Sequence, residues 1–204
     1  GENPARLRGH LDKILSKTVK VKRVRHFPAL PYDDIGIFLK ELRQRKGYSA
    51  LALEFLILTA ARTSEIIGAK WAEIDLEKKV WTVPAFRMKV GKEHRVPLCI
   101  RAVEILSSIT SNRNPEEHVF SGWKQNKGLS NNALLALLKK MGRSNITAHG
   151  FRSTFRDWAA EEAYTFANET IELALAHTIK NKAEAAYRRG DQLERRRELM
   201  AAWS

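Results

Sequence analysis

The sequence predicts an α+β domain that is mainly helical and contains a small three-stranded antiparallel sheet. Apolar residues recur at helical spacing through most of the chain, and the period changes to that of strands only between residues 80 and 99. The 204 residues are 44% hydrophobic, which is enough for a core and excludes wholesale disorder. This length allows one large domain with a short appendage.

The predicted helices begin and end at residues that cap or break helices. Asp33 or Asp34 is expected to cap the first helix, and Thr147 to cap a long one. The helix from Ser49 to Thr59 is apolar nearly all round, which is typical of a buried helix. The other predicted helices are near His10–Leu15 and over 35–42, Thr63–Gly68, Arg101–Ile109, Ala133–Met141, Ala148–Glu162, Glu169–Ala176, Lys182–Arg189 and Gln192–Trp203.

The strands are predicted from short runs of β-branched and aromatic residues. Val80–Val83 is such a run and ends at Pro84. Phe86–Lys89 and His94–Cys99 are expected to form a hairpin around a turn that contains Gly91. Trp71–Asp75 is predicted as irregular structure or a brief strand, and His118–Phe120 as a short strand.

The chain is strongly basic, with 36 Lys and Arg against 23 Asp and Glu, a net charge of +13 and a pI near 10.0. Such a field favours a polyanionic partner, of which nucleic acid is the commonest. Residues 1–25 hold eight basic and two acidic residues. We interpret them as a basic interdomain linker, either solvated or lying as a strap on phosphates, that precedes a folded domain over 26–204.

The remaining composition excludes several kinds of protein. The one cysteine, Cys99, cannot form an intrachain disulfide or a cysteine-based zinc knuckle, so a reducing compartment is expected. No apolar run approaches the ~20 residues that a membrane span needs, so no membrane partner is expected. The chain opens on a polar segment without an initiator Met, and we expect it to be a piece of a longer protein.

Two cationic positions lie in segments where a packed helical domain does not require them. Arg62 follows the most apolar predicted helix, and Glu65 can orient it; the alternative is an ordinary surface ion pair. Lys89 or Lys92, in the predicted hairpin, can donate a proton to a leaving oxygen; the alternative is a solubilising lysine on an edge strand. Each position therefore has a chemical and a structural interpretation.

Three further segments add histidine, arginine and tyrosine. His149 and Arg152 lie in the first turn of the helix that Thr147 caps, where free N–H groups and the helix dipole favour an anion. The alternative is a partly buried histidine beside a surface arginine. His177 ends an apolar run, a position typical of a helix C-terminus. Tyr187 follows small residues and precedes two arginines. A half-buried core position is the alternative for the tyrosine.

Together these residue types match phosphodiester transfer without a metal. Tyr187 can attack phosphorus and form a covalent intermediate. Arg62 and Arg152 can neutralise the non-bridging oxygens, where charge builds in the transition state. The sequence has no carboxylate cluster with metal-ligand spacing, so the arginines would replace divalent ions, and neither a metal nor another cofactor is expected.

These segments resemble the catalytic boxes of the tyrosine recombinases, and among them the prophage and genomic-island integrases. The likeness covers roughly residues 26–204, and the boxes stand in the family's order. One box would be weak evidence, whereas five in order are specific. The five boxes are Ala61-Arg62-Thr63-Ser64-Glu65, Met88-Lys89-Val90-Gly91-Lys92, His149-Gly150-Phe151-Arg152, Leu175-Ala176-His177 and Ala186-Tyr187-Arg188-Arg189.

The resemblance implies a role for each of these positions. Arg62 resembles the first catalytic arginine, and Glu65 the acidic residue that supports it. Lys89 resembles the β-hairpin lysine, the general acid for the leaving 5′-hydroxyl, with Lys92 as its rival. Tyr187 resembles the nucleophile that becomes linked to the 3′-phosphate of DNA.

The other two boxes complete the implied site and fold. His149 and Arg152 resemble the His-x-x-Arg box, and His177 resembles the second histidine. The implied fold is the tyrosine-recombinase catalytic domain. The implied function is site-specific DNA integration and recombination through a 3′-phosphotyrosyl intermediate. Two alternatives are relaxation of DNA in the manner of a type IB topoisomerase and a non-catalytic DNA-binding module.

The resemblance also implies partners and a location. The partners are double-stranded attachment-site DNA, further copies of the chain in a tetramer on DNA, and DNA-bending and directionality proteins. The isolated chain is expected to be monomeric, because integrases of this kind carry two upstream DNA-binding domains that this sequence does not contain. The predicted helix Gln192–Trp203 is expected to pack either on a neighbouring protomer or on its own domain. The expected location is the bacterial cytoplasm, in association with the nucleoid.

Overall fold

Eight α-helices, three strands and three short 3-10 helices lie in the part of the chain that the computed structural model describes, residues 28–109, 114–123, 127–177 and 190–204. This mainly helical fold with one small antiparallel sheet confirms the predicted fold class. The helices are α1 (Ile35–Arg43), α2 (Tyr48–Thr59), α3 (Thr63–Ile67), α4 (Ile100–Ser108), α5 (Ala133–Lys140), α6 (Gly150–Glu161), α7 (Asn168–Ala174) and α8 (Leu193–Trp203). The strands are β1 (Ile74–Asp75), β2 (Val80–Val83) and β3 (His94–Pro97).

Two of the predicted helices, His10–Leu15 and Lys182–Arg189, lie outside the described residues, as do the whole of the predicted linker over 1–25 and its junction with the domain. Within the described ranges, each helix is too short or too polar to cross a membrane.

The sheet differs from the prediction in one strand. β2 is the middle strand and pairs antiparallel with both of its neighbours, so the brief segment predicted ahead of it supplies the first strand. The strand predicted at Phe86–Lys89 is wrong, because Pro84 has no N–H to continue the ladder and the chain turns into a 3-10 helix at Ala85–Arg87. A loop over residues 84–93 therefore joins β2 to β3.

Helix α2 runs through the middle of the core. Nine of its twelve residues are buried, which confirms the prediction from its apolar pattern. The ring of Phe55 packs on that of Trp81 from β2, with 5.6 Å between centroids. The buried carboxylate of Glu54 accepts hydrogen bonds from Arg43 and Arg101, both at 2.8 Å. These contacts join α1, α4 and the sheet to α2.

The start of α6 depends on Thr147 and Gly150. The Thr147 hydroxyl oxygen accepts a hydrogen bond from the backbone N–H of Gly150 at 3.0 Å, as predicted for a cap, although the helix begins two residues later than predicted. A Cβ on Gly150 would lie 2.2 Å from the carbonyl oxygen of Pro28. Only glycine therefore lets the entering chain cross the helix at this point.

Two smaller predictions differ from the structure. Asp34 stands at the N-cap position of α1 but makes no side-chain capping bond, because the 3-10 turn Tyr32–Asp34 runs directly into the helix. His118–Phe120 is not a strand; His118 only forms an isolated bridge with Lys70.

The C-terminal helix α8 packs on its own domain. Trp203 donates its indole N–H to the carbonyl oxygen of Ile57 at 2.8 Å. Its ring lies against Phe155 and Trp158, with centroids 5.4 and 5.0 Å away. Of the two packings expected for this helix, the structure has the intramolecular one.

Candidate active site

Arg62 is held at the start of α3 by Glu65. The Glu65 carboxylate accepts the backbone N–H of Arg62 at 2.9 Å and its Nη1 at 2.8 Å. The Glu65 side chain is only 3% exposed and that of Arg62 17%, so the interpretation as an ordinary surface pair is wrong. Because the two oxygens of the Glu65 carboxylate bind the backbone N–H and the guanidinium of the same arginine, the guanidinium has a fixed direction.

Arg152 is buried beside Arg62 and is bonded to backbone carbonyls. Its Nη1 donates to the carbonyl of Ala60, which ends α2 in the left-handed conformation, and its Nη2 donates to the carbonyl of Leu175 at 2.6 Å. The side chain comes from the first turn of α6 and is 6% exposed. The interpretation as a surface arginine is therefore wrong.

Burial and, to a smaller extent, the neighbouring charge of Arg62 lower the pKa of Arg152 to about 10. A guanidinium with that pKa is still protonated at neutral pH. The two arginines therefore carry two positive charges in a place where little water screens them.

The end of α7 provides the carbonyls that hold both arginines. Ala176 has a φ of +48°, the backbone N–H of His177 bonds back to the carbonyl of Glu172 at 3.0 Å, and the helix closes in a Schellman motif. The last carbonyls then point at Arg62, whose Nη2 lies 3.3 Å from the oxygen of Ala176. The negative end of the helix dipole faces two cations, which offsets part of their repulsion.

His177 lies at the same helix end and contacts Arg152. Its Nε2 is 3.3 Å from Arg152 Nη2, and its Nδ1 is 2.7 Å from the carboxylate of Glu172. A guanidinium only donates, so Nε2 accepts, and the proton on Nδ1 faces Glu172. The expected position at a helix end is confirmed, and Glu172, which the sequence did not single out, orients the ring.

His149 stands at the first turn of α6 near the same group of charges. Burial lowers its pKa, so the imidazole is neutral at neutral pH. The cations that lower its pKa further are Arg152, Arg62, His177 and Lys89. Five of the predicted site residues therefore lie close enough for their charges to interact: Arg62, Lys89, His149, Arg152 and His177.

Lys89 lies near this group of charges, on an exposed turn in the loop between β2 and β3. The backbone N–H of Gly91, with a φ of +64°, bonds to the carbonyl of Met88 at 3.0 Å. Met88 is buried and the residues from Lys89 to Glu93 are exposed. The charge of Lys89 is among those that lower the pKa of His149, and Lys89 stays the predicted lysine of the site with Lys92 as its rival.

His94 is a member of the site that sequence reasoning did not single out. It begins β3, and burial together with the charges of Arg196, Arg62 and Arg152 lowers its pKa to about 3, against the opposite effect of Asp191. Its segment stood out for its lysines. Nothing in the local sequence shows that the strand brings this ring to the arginines.

A charge cluster joins the start of α8 to β3. Arg196 is 1% exposed; it donates to the carbonyl of Arg95 at 2.6 Å and to the carboxylate of Asp191 at 2.9 Å. Arg95 donates to the same carboxylate at 2.7 and 2.9 Å. Asp191 comes four residues after Tyr187, which itself lies outside the described residues. The chain is thus anchored shortly after the predicted nucleophile.

Comparisons with known proteins show similarity to integrases in sequence. The model of the Phage integrase family matches residues 29–193. The integrase of Shigella phage Sf6 is 33% identical over 195 residues, 93% of this chain and 50% of its own length. The prophage integrase IntZ of Escherichia coli K12 is 35% identical over 189 residues, 91% of this chain and 46% of its own length.

The fold is also that of solved integrases. The integrase from mycobacterium phage Brujita has a TM-score of 0.64 at 20% identity and matches 94% of this chain and 62% of its own. A lambda integrase dimer bound to a COC′ core site has a TM-score of 0.58 at 18% identity, over 86% and 63% of the two chains. The chain spans about half the length of the curated relatives it matches.

Proposed function

Because the chain belongs to the phage integrase family, we propose that it is the catalytic domain of a site-specific DNA recombinase. The domain corresponds to residues 26–204, and residues 1–25 are the linker to the DNA-binding domains. The observation that carries the proposal is the arginine pair. Arg62 and Arg152 both donate to the carbonyl of Leu175, so two guanidiniums are held beside each other, as the binding of one phosphate by two arginines requires.

The reaction is a transfer of one phosphodiester between two hydroxyls. The Tyr187 oxygen attacks phosphorus, the bond from phosphorus to the 5′-oxygen breaks, and Lys89 gives that oxygen a proton. The product is a 3′-phosphotyrosyl bond and a free 5′-hydroxyl. Attack by the 5′-hydroxyl of another strand reverses the step and rejoins the DNA.

The positive side chains of the site stabilise the charge that builds on the phosphate. Arg62 and Arg152 bind the non-bridging oxygens with groups already in place, which lowers the reorganisation required at the moment of reaction. Glu65 keeps Arg62 in position and Glu172 orients His177. His149 and His177 supply hydrogen-bonding groups beside the arginines.

The energy of the broken bond stays in the phosphotyrosine. Rejoining therefore needs no nucleotide cofactor, and the arginines neutralise the charge that a metal would otherwise meet. We propose that the reaction uses no cofactor and no metal.

The partner is double-stranded DNA that carries an attachment site. Two observations support this: the net charge of +13, and the DNA present in the structures of the similar lambda and Tn1549 transposon integrases. We further propose a homotetramer on DNA, a monomer for the isolated chain, help from DNA-bending and directionality proteins, and a place on the bacterial nucleoid in the cytoplasm.

Trapping of the covalent intermediate tests this function. A pool of nicked duplexes with randomised core sequence lets the cleaved 5′ piece diffuse away, so the phosphotyrosine cannot be reversed. We expect a protein–DNA band that survives denaturation. Tyr187→Phe should abolish it, and Tyr164→Phe, which changes a different tyrosine that is exposed, should leave it intact.

The same preparation separates the alternatives. A binding module would give no covalent band, with Tyr187→Phe and the unchanged chain behaving alike. A topoisomerase would relax supercoiled DNA whether or not it carries the sequences recovered from the trapped pool, whereas a recombinase would depend on them.

A further inference from the structure

We propose that Arg87 is a positioning residue that connects the turn carrying Lys89 to the arginine pocket, the site formed by Arg62 and Arg152. The proposal rests on the proposed function, since it concerns the lysine that protonates the leaving oxygen. Arg87 ends the 3-10 turn Ala85–Arg87, two residues before Lys89. It is the last largely buried charged side chain before the loop becomes exposed.

The guanidinium of Arg87 is bonded to two elements at once. Its Nη1 bonds to the carboxylate of Glu73, whose side chain is 8% exposed, and its Nη2 donates to the backbone carbonyl of Glu65. Glu73 is itself fixed by the indole N–H of Trp81 at 2.9 Å. One side chain of the loop thus joins helix α3, which orients Arg62, to the turn that holds Glu73, and through Glu73 to Trp81 of β2.

The fold leaves room for this guanidinium at Gly68. A Cβ there would lie 2.8 Å from Arg87 Nη2 and 3.2 Å from the carbonyl oxygen of Ser64. Gly68 has a φ of −99°, so its backbone alone would accept alanine. The residue directly after α3 is therefore small where the fork of Arg87 must fit between helix and loop.

The bridge has a consequence for Lys89. A lysine has a long, flexible side chain, and the residues from Lys89 to Glu93 are exposed. Proton transfer needs the ammonium within hydrogen-bond reach of the leaving oxygen, and misplacement by about 1 Å can cost roughly 10²-fold. Arg87 fixes the base of the turn relative to the helix that holds Arg62, which binds the phosphate in the proposed function.

A change of leaving group isolates this role. Single-turnover cleavage is compared on a normal duplex and on one whose bridging 5′-oxygen is sulfur. The phosphorus–sulfur bond breaks to give a thiolate, and because thiols have a pKa of about 8.5 this leaving group needs no proton donor. The ratio of the two rates within one preparation does not depend on how much protein is active.

We expect Arg87→Lys to cleave the oxygen substrate about 10- to 100-fold more slowly and the sulfur substrate about as fast as the unchanged chain. A lysine keeps the charge but cannot bridge two acceptors in a fork. Gly68→Ala, which displaces the guanidinium without changing its charge, should move the ratio in the same direction. Lys89→Ala gives the full effect, and Arg143→Lys, on the exposed pair with Glu41, gives none.

Three outcomes would overturn the proposal. If Arg87→Lys and Gly68→Ala slow both substrates equally, Arg87 acts on folding or on phosphate binding. If neither substrate is slowed, the bridge does not position Lys89. If the unchanged chain forms no covalent product with either substrate, the proposed function fails, and this inference fails with it.

Discussion

The arginine pocket and the loop between β2 and β3 meet at the same site but are built in different ways. Arg152 is buried and bonded to the carbonyls that end α2 and α7, and Arg62 is gripped by Glu65. Lys89 lies on an exposed turn. The groups proposed to bind the phosphate are therefore in place before DNA arrives, whereas the proposed proton donor depends on how its loop is held.

Only the arginine pocket has an electrostatic cost, because its positive charges repel one another. Burial, together with the positive charges of Arg196, Arg62 and Arg152, holds the pKa of His94 at about 3. The carbonyls at two helix ends offset part of that repulsion. A bound phosphate would offset more of it, which is what an anion site requires.

The largest effect is expected where the pocket itself is broken. Arg152→Gln removes a buried charge aimed at the reacting phosphate, and we expect cleavage to fall about 10³-fold in the covalent trapping assay. Arg143→Gln removes an arginine that follows the end of α5 and pairs with Glu41 at the surface, and it should leave cleavage unchanged. A fall below tenfold for Arg152→Gln would contradict a pocket that works by prepositioned charge.

A smaller effect is expected from the loop. Lys89→Ala should slow cleavage of the normal duplex about 10²-fold, at the low end for a general acid, because an exposed ammonium is only partly preorganised. Lys92→Ala changes the other lysine of the same turn and should have little effect. The reverse ranking would show that Lys92 is the proton donor.

The pocket should also make stability depend on pH. The folded pKa of His94, about 3, lies below its ordinary value of 6.5. Below pH 6.5 the unfolded chain therefore binds a proton that the folded chain does not, and the free energy of unfolding falls as pH falls. We expect a loss of up to about 1.4 kcal/mol per pH unit between pH 6 and 4, measured by urea unfolding.

His94→Gln should flatten that slope. His118→Gln is the matched control, since burial also lowers the pKa of His118 but away from the arginine pocket. Equal slopes in His94→Gln and in the unchanged chain would mean that His94 is not held neutral by the pocket.

The smallest expected effect separates the two regions without DNA. Sulfate, compared with chloride at equal ionic strength, should stabilise the chain by about 1 kcal/mol if it occupies the pocket. Arg62→Gln should remove that stabilisation and Lys89→Ala should retain most of it. The comparison between variants cancels the general effect of sulfate on folding. Equal responses in both variants would place the bound anion elsewhere.

Much of this architecture is predictable from the sequence because it follows from local patterns. The apolar run of α2 and the β-branched run of β2 are visible as periods. In place of the strand expected at Phe86–Lys89 stands a 3-10 turn whose Arg87 bonds to Glu73, fourteen residues earlier. A contact of that range has no local signature.

The site shows the same division. Arg62, Arg152 and His177 stand in recognisable segments, but their placement depends on Ala60 and Ala176 adopting left-handed conformations that usually favour glycine. No local pattern predicts that these two turns aim carbonyls at one place. His94 was missed for a related reason, since Arg196 follows it by about a hundred residues and reaches it only through the packing of α8 on β3.

The most direct test of the account is to identify the residue that carries the DNA. Protein trapped on a nicked duplex is digested with nuclease and trypsin, and the modified peptide is sequenced by mass spectrometry. The account predicts a nucleotide joined through its 3′-phosphate to Tyr187, in the peptide of residues 183–188. A nucleotide on another residue, or one joined through a 5′-phosphate, would contradict it.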